Sequence, residues 1–238
     1  DPMSTGSATA NLHRVRRALR RYGIKGSARE AAGLVRSVPA RRRALRADRA
    51  FDEQLGVDTS GIVRLHELSF ESENKELGSR YEATSPESFE RVMSQLELGD
   101  RELTFVDLGA GKGRALLLAS RLPFRRLVGV EFSPELTAIG QRNVEAWRQR
   151  HPDCPDIELV CQDATTYEFP DEPLLVYMYN PFEAPVLLEV LANLRASLQR
   201  SPRPVMLVSI TPWETLDALT SSGFAAASPP ELFLPAAM

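Results

Sequence analysis

The chain has little with which to build a metal centre, close a disulfide framework or cross a bilayer. Among its 238 residues only Cys154 and Cys161 are cysteine and only three are histidine. Two such thiols form neither a zinc-binding spacing nor a disulfide scaffold, and they suit a reducing compartment such as the cytoplasm. His66 in a connecting stretch and His151 just before Pro152 read as structural, so no metal site is expected. Leu-rich stretches such as Ala115–Leu118 fall far short of the run of about 18 apolar residues that a spanning helix needs. Hydrophobic residues at 43% and charged residues at 26% exclude disordered and collagen-like chains.

Charge is present but unevenly placed. The net charge is -3, yet between Arg14 and Arg49 thirteen Lys or Arg face only Glu30 and Asp48, so this window carries +11 and the remainder -14. Asp1 and Pro2 ahead of Met3 read as a cloning remnant. The arm's Arg-rich, acid-poor composition is shared by organellar transit peptides, and its cations can neutralise phosphates. Its single aromatic, Tyr22, leaves almost nothing to stack on bases, so a nucleic-acid partner is possible but not favoured. The preferred reading is a helical arm that packs on its own acidic domain or on a partner subunit, a homo-oligomer included.

Periodicity divides the chain into a basic helical arm and connector, 1–75, and a main domain, 76–238. Residues 8–50 carry short amphipathic helices (Leu12, Val15, Leu19, then Ala31 to Val35), and 51–75 is a connector with one possible strand at Ile62 to Leu65. Ser85-Pro86-Glu87 is a cap, a first-turn proline and an early acid ahead of Phe89, Val92, Met93 and Leu96 on one helix face. Strands and helices then alternate: strand Leu103–Leu108, helix Arg114–Leu122, strand Arg126–Glu131, a helix capped by Ser133, strand Ile157–Cys161, strand Leu174–Tyr179, a helix from Pro185 with Leu188, Leu191, Leu194 and Leu198 inward, and strand Val205–Ile210. A helix Glu214–Leu219 and one further strand at Glu231–Leu234 complete the pattern. Short apolar strands joined by helices predict an α/β fold around a doubly wound, mostly parallel sheet.

Chemistry concentrates at the ends of these strands. Phe105-Val106-Asp107-Leu108-Gly109-Ala110-Gly111-Lys112-Gly113-Arg114 joins a strand to a helix, where glycines permit a tight turn and close approach of a ligand, and helix-start amides favour an anionic group. The third glycine comes one residue too early for a dinucleotide fingerprint. Glu131 ends the next strand, 22 residues after Gly109, and Asp163 follows the one after. This order resembles the class I S-adenosylmethionine-dependent methyltransferases, which have a Rossmann-like fold. The resemblance implies S-adenosylmethionine as cofactor. Asp107 would face its ammonium, the Gly109, Ala110, Gly111 and Gly113 backbone its amino-acid end, Glu131 its ribose, and Phe132, Asp163 and Ala164 its adenine.

The fourth strand ends in Tyr179-Asn180-Pro181-Phe182, and class I enzymes that act on nitrogen often carry an Asn or Asp, a Pro or Asn and then an aromatic here. An Asn carbonyl can hold an amine N–H while the nitrogen lone pair faces the methyl group. Tyr81-Glu82-Ala83-Thr84-Ser85-Pro86-Glu87, the glycine motif, Gly129-Val130-Glu131 and Asn180-x-Phe182 are also similar, over about residues 79–182, to the SET-less nucleosomal lysine methyltransferases, the disruptor-of-telomeric-silencing family. Their Asn-Asn-Phe is Asn-Pro-Phe here, and their Gly-Val-Gly-Gln is Gly-Lys-Gly-Arg. The similarity implies shared loop architecture, with Tyr81 and Glu82 folded over the cofactor, and is not evidence for a histone substrate. The expected activity is methyl transfer to nitrogen of a small amine or protein side chain, with Asn180, Phe182, Tyr81, Glu82 and Tyr179 around the acceptor and Asn180 also touching the cofactor. An O-methyltransferase, or an RNA methyltransferase using the arm, is the alternative.

Overall fold

A computed structural model describes residues 45–64, 68, 78, 80–99, 102–210, 219–226 and 232–235. Two compact units are present, Asp1–Ala47 and Asp48–Met238. Of the first, only residues 45–47 are described, and they are helical. The arm helices before residue 45, the connector around His66 and the start of the helix expected at Glu214 lie outside the described residues. The second unit begins at residue 48, although the sequence placed the main domain from 76, because residues 48–63 are bound into it by hydrogen bonds to the glycine-turn segment described below. Helix α1 covers 45–55, running past residue 50 into the stretch read as connector. Strand β1 (Ile62–Val63) pairs antiparallel with β2 (Tyr81–Glu82).

Local signals fix the next elements. Helix α2 (Pro86–Met93) starts where Ser85 Oγ accepts the Ser88 N–H, and α4 (Pro134–Arg150) where Ser133 Oγ accepts the Leu136 N–H, each with proline at the start of the first turn. Between them lie β3 (Thr104–Leu108), α3 (Arg114–Ala119) and β4 (Arg126–Glu131). After α4 come β5 (Asp156–Cys161), β6 (Leu174–Tyr179), α5 (Ala184–Arg200), β7 (Val205–Ile210), β8 (Phe224–Ala226) and β9 (Leu232–Pro235).

The main sheet has the order β5-β4-β3-β6-β7-β9-β8, with β5 to β7 parallel and the last two antiparallel. The doubly wound, mostly parallel sheet expected from the sequence is therefore present. Strand β8, which periodicity did not reveal, completes the antiparallel edge. Alternation within strands feeds two cores. Phe105, Leu175 and Tyr177 join α2, α3 and α4 on one face, while Val106, Leu108, Val176 and Met178 join α5 on the other. Leu187, Val190, Leu191, Leu194 and Leu198 face inward from α5, but Leu188 is 45% exposed, because the inward stripe runs through its neighbour Leu187. Trp147 is fully buried, donates from Nε1 to Ser120 Oγ at 2.9 Å and stacks on His151. Among the described residues no helix is long and apolar enough to cross a membrane.

The winding direction reverses between β3 and β6. In open α/β sheets the crevice outside such a switch point is where ligands bind.

Candidate active site at the carboxyl ends of the strands

The glycine turn leaves β3 at this switch point. Gly109, Gly111 and Gly113 have φ of +78°, +54° and +83°, a region that side-chain-bearing residues rarely adopt. Two of them also make room for neighbours. A Cβ at Gly109 would stand 2.3 Å from Pro181 Cβ, and one at Gly111 would stand 2.3 Å from the Tyr81 ring. The turn's own amides are spent internally: Gly109 and Ala110 donate to the Val130 carbonyl, Gly113 to the Ala110 carbonyl, and Gly111 to Glu131 Oε2 at 2.8 Å. These four amides precede the start of α3 and are already paired, and the turn itself offers close approach.

Three adjoining compartments run along the strand ends. An apolar one of about 380 Å³ is walled by Gly78, Val130, Phe132, Asp163, Ala164 and Phe182. A central one of about 420 Å³ is walled by Arg80, Glu82, Glu131, Phe132, Tyr179 and Asn180. A polar one of about 300 Å³ is walled by Glu82, Thr84, Asp107, Ala110, Arg114 and Tyr179. Gly109 borders all three.

With this geometry in hand, the sequence from 105 to 201 matches the family model of a methyltransferase domain. No curated protein sequence matches the chain. Solved structures similar in fold include a SAM-dependent methyltransferase from Thiobacillus denitrificans in complex with S-adenosyl-L-homocysteine, at 21% identity and a TM-score of 0.39, covering 52% of this chain and 47% of that one. Another is precorrin-6y C5,15-methyltransferase from Geobacter metallireducens GS-15, at 20% identity and a TM-score of 0.46, covering 67% and 79%. Magnesium protoporphyrin IX methyltransferase from Synechocystis PCC 6803, with bound SAH, is 12% identical at a TM-score of 0.46, covering 60% and 74%. The chain thus spans about half (47%) of the length of the Thiobacillus protein.

Within the matched segment three acids close neighbouring strands. Asp107 is 3% exposed, borders the polar compartment and has no hydrogen-bond or ion-pair partner among the described residues. Burial, and then the nearby Glu131 carboxylate, push its pKa up to about 8. Glu131 is equally buried, and its pKa rises to about 7, burial outweighing the backbone N–H groups of Ser133 and Gly111 that favour its ionised form. Asp163 is half-buried in the wall of the apolar compartment, where Oδ1 accepts the Thr165 N–H and hydroxyl and so caps the short 3-10 helix Ala164–Thr166.

The proposed acceptor residues divide. Tyr179, Asn180 and Glu82 meet at the central compartment. Asn180 holds φ +45°, unusual for any residue but glycine and doubly so before a proline. Phe182 is not with them: it is 9% exposed, lies in the apolar compartment beside Ala164 and forms a backbone bridge with Gly78. Tyr81 is half-buried with its hydroxyl donated to the Thr59 carbonyl and its phenol held well above the usual range by burial, so its ring is the part that meets the turn. Gly113 serves as the left-handed cap of α3 and borders none of the three compartments. Arg80, Gln162 and Val186 also line the cleft, and sequence reasoning missed them because none lies in a motif whose chemistry announces it; Thr84, another lining residue, sits in the Tyr81–Glu87 segment but was not named as a site residue.

Proposed function

We propose that the chain binds S-adenosylmethionine along these three compartments and transfers its methyl group to a nitrogen atom of a small amine or a protein side chain. The observation that carries the proposal is Asp107, a carboxylate almost wholly removed from water, without a cationic partner among the described residues, at the edge of a polar compartment beside a glycine turn. A buried acid of this kind is costly unless a cation meets it, and an amino-acid ammonium supplies one. Glu131 retains acceptor capacity for a ribose hydroxyl beyond the backbone N–H groups of Gly111, Phe132 and Ser133 that it already accepts. The apolar compartment, with Phe132 and Ala164, suits a purine, and Asp163 an exocyclic amino group.

When bound, the cofactor supplies an electrophilic methyl group on a sulfonium, already activated. The protein's share is alignment and dryness. Asn180 accepts an N–H of the acceptor through its side-chain oxygen, so that the lone pair points toward the methyl group. Tyr179 packs the acceptor, and the Tyr81 ring shields the turn from water. Glu82, half-exposed and paired with Arg80 at 2.7 Å, accepts the proton released by the nitrogen and passes it to solvent.

Titration calorimetry with S-adenosylhomocysteine, NADH and ATP tests the cofactor. Binding of the first alone is expected; binding of NADH or ATP in its place would end the proposal. For the acceptor, transfer of a labelled methyl group to panels of amines and hydroxyl compounds should yield N-methyl products only.

A further inference from the structure

Arg114 opens α3 directly after the glycine turn, where a cation would ordinarily be read as a contact to a ligand's carboxylate. It is committed elsewhere. At 2% exposure its Nε donates to Thr59 Oγ1 at 2.7 Å, Nη1 to the Asp48 carboxylate and to the Thr84 carbonyl, and Nη2 to the Asp48 carbonyl and to Asp52 Oδ1. A guanidinium has five N–H groups, and these five acceptors match them. Its face lies 4.9 Å from the Phe51 ring centre.

The acceptors themselves form a knot. Asp52 takes the N–H groups of Thr59 and Ser60, at 2.9 and 2.6 Å, and the Thr59 hydroxyl at 2.6 Å. Thr59 is fully buried, and its carbonyl receives the Tyr81 hydroxyl. The Tyr81 ring in turn fills the space over Gly111. A closed path thus runs from Arg114 through Thr59 and Tyr81 back to Gly111, three residues before Arg114. Lys112 makes a second tie, from Nζ to Asp58 Oδ1 at 2.8 Å and to the Ser60 carbonyl at 2.9 Å, while Asn143 Nδ2 bridges the carbonyls of Asp58 and Lys112. Both cations of the Gly-Lys-Gly-Arg motif therefore hold residues 48–60.

We propose that Arg114 is a positioning residue of the cofactor site: acting through Thr59, it fixes Tyr81 over the glycine turn and makes residues 48–60 part of the binding machinery. The geometry of the ring is independent of any ligand; its effect on cofactor affinity rests on the function proposed above. Removing the guanidinium outright would strand buried carboxylates and unfold the unit, so two gentler changes separate positioning from stability. Arg114→Lys keeps the charge but cannot reach five acceptors. Tyr81→Phe keeps the ring and cuts its link to Thr59.

Hydrogen–deuterium exchange of the full-length protein without cofactor reads Tyr81 directly. Arg114→Lys and Tyr81→Phe should each speed exchange of amides 80–84 at least tenfold. Arg126→Lys, altering a cation paired with Glu158 at the other end of the sheet, should leave them unchanged. Calorimetry with S-adenosylhomocysteine should show each variant about tenfold weaker. The double variant should be no more than twofold worse than Arg114→Lys alone, because both act on one path. Unchanged exchange in Arg114→Lys, or affinity losses that multiply, would overturn the proposal. If the wild-type protein binds no S-adenosylhomocysteine, the cofactor assignment fails, and exchange alone still decides whether Arg114 holds Tyr81.

Discussion

Replacing Asp107 by Asn should make the empty protein more stable and its cofactor complex weaker. Asp107 is 3% exposed and its pKa rises from an ordinary 3.8 to about 8, through burial first and Glu131 second. Between these values the folded state holds a proton that the unfolded state has released. Stability therefore falls as pH rises from about 4 to about 8 and levels off above. At 1.36 kcal/mol per pH unit the full penalty above pH 8 is at most about 6 kcal/mol. Asn removes the charge but keeps a buried polar group, so about 2 kcal/mol of relief is a fair expectation, or about 4–8 °C in Tm for a unit of this size. In the complex the same change removes a hydrogen bond between two charged groups, about 1.5–3 kcal/mol, and weakens S-adenosylhomocysteine binding about 10- to 150-fold. Scanning calorimetry at pH 5 and pH 9 measures the first effect and titration calorimetry the second. The stability gain should be larger at pH 9. A variant no more stable at pH 9 than at pH 5, relative to wild type, or one that binds the ligand equally well, would refute the reasoning.

The wild-type protein should take up S-adenosylhomocysteine more tightly as pH rises from 6 to about 8, with proton release at neutral pH, since ammonium binding ionises Asp107; titrations in buffers of different ionisation enthalpy count the protons. Asn180→Ala should lower kcat at least tenfold while leaving S-adenosylhomocysteine affinity within about twofold, and equal turnover would leave Asn180 merely ending a strand. Trp147→Ala should cost about 3–5 kcal/mol by chemical denaturation, because it empties a fully buried site and removes the indole donor to Ser120. A chain starting at residue 61 should melt well below one starting at Asp48, since Arg114 and Lys112 would then stand without Asp52, Thr59 and Asp58.

Local chemistry made much of the fold legible. Ser85-Pro86 and Ser133-Pro134 announce helix starts within four residues of sequence, and the apolar strands with their helical crossovers specify one sheet. The order of the strands then brings Asp107, Glu131 and Asp163 to adjacent ends, so a motif and two spacings sufficed to nominate them. What stayed hidden depends on partners distant in sequence. Nothing near Thr59 indicates that Arg114, 55 positions later, will bury it. The compartment that receives Phe182 follows from its bridge to Gly78, across the top of the sheet. Leu188 looked inward because its spacing to Leu191 and Leu198 is helical, but Leu187 lies closer to the centre of the same stripe.

The contact between Gly109 and Pro181 also constrains how the sequence can drift. A Cβ at 109 would stand 2.3 Å from the Cβ at 181, and every residue except glycine carries a Cβ. One of the two positions must therefore stay glycine as long as the loops keep this approach, and the other is free to vary only while it does. Substitutions at the two sites are epistatic: alanine at 109 is excluded beside Pro181 and becomes sterically possible only beside glycine, at the further cost of a positive φ. A relative that has lost the first glycine of its turn should thus be sought among chains whose fourth-strand motif has lost its proline to glycine.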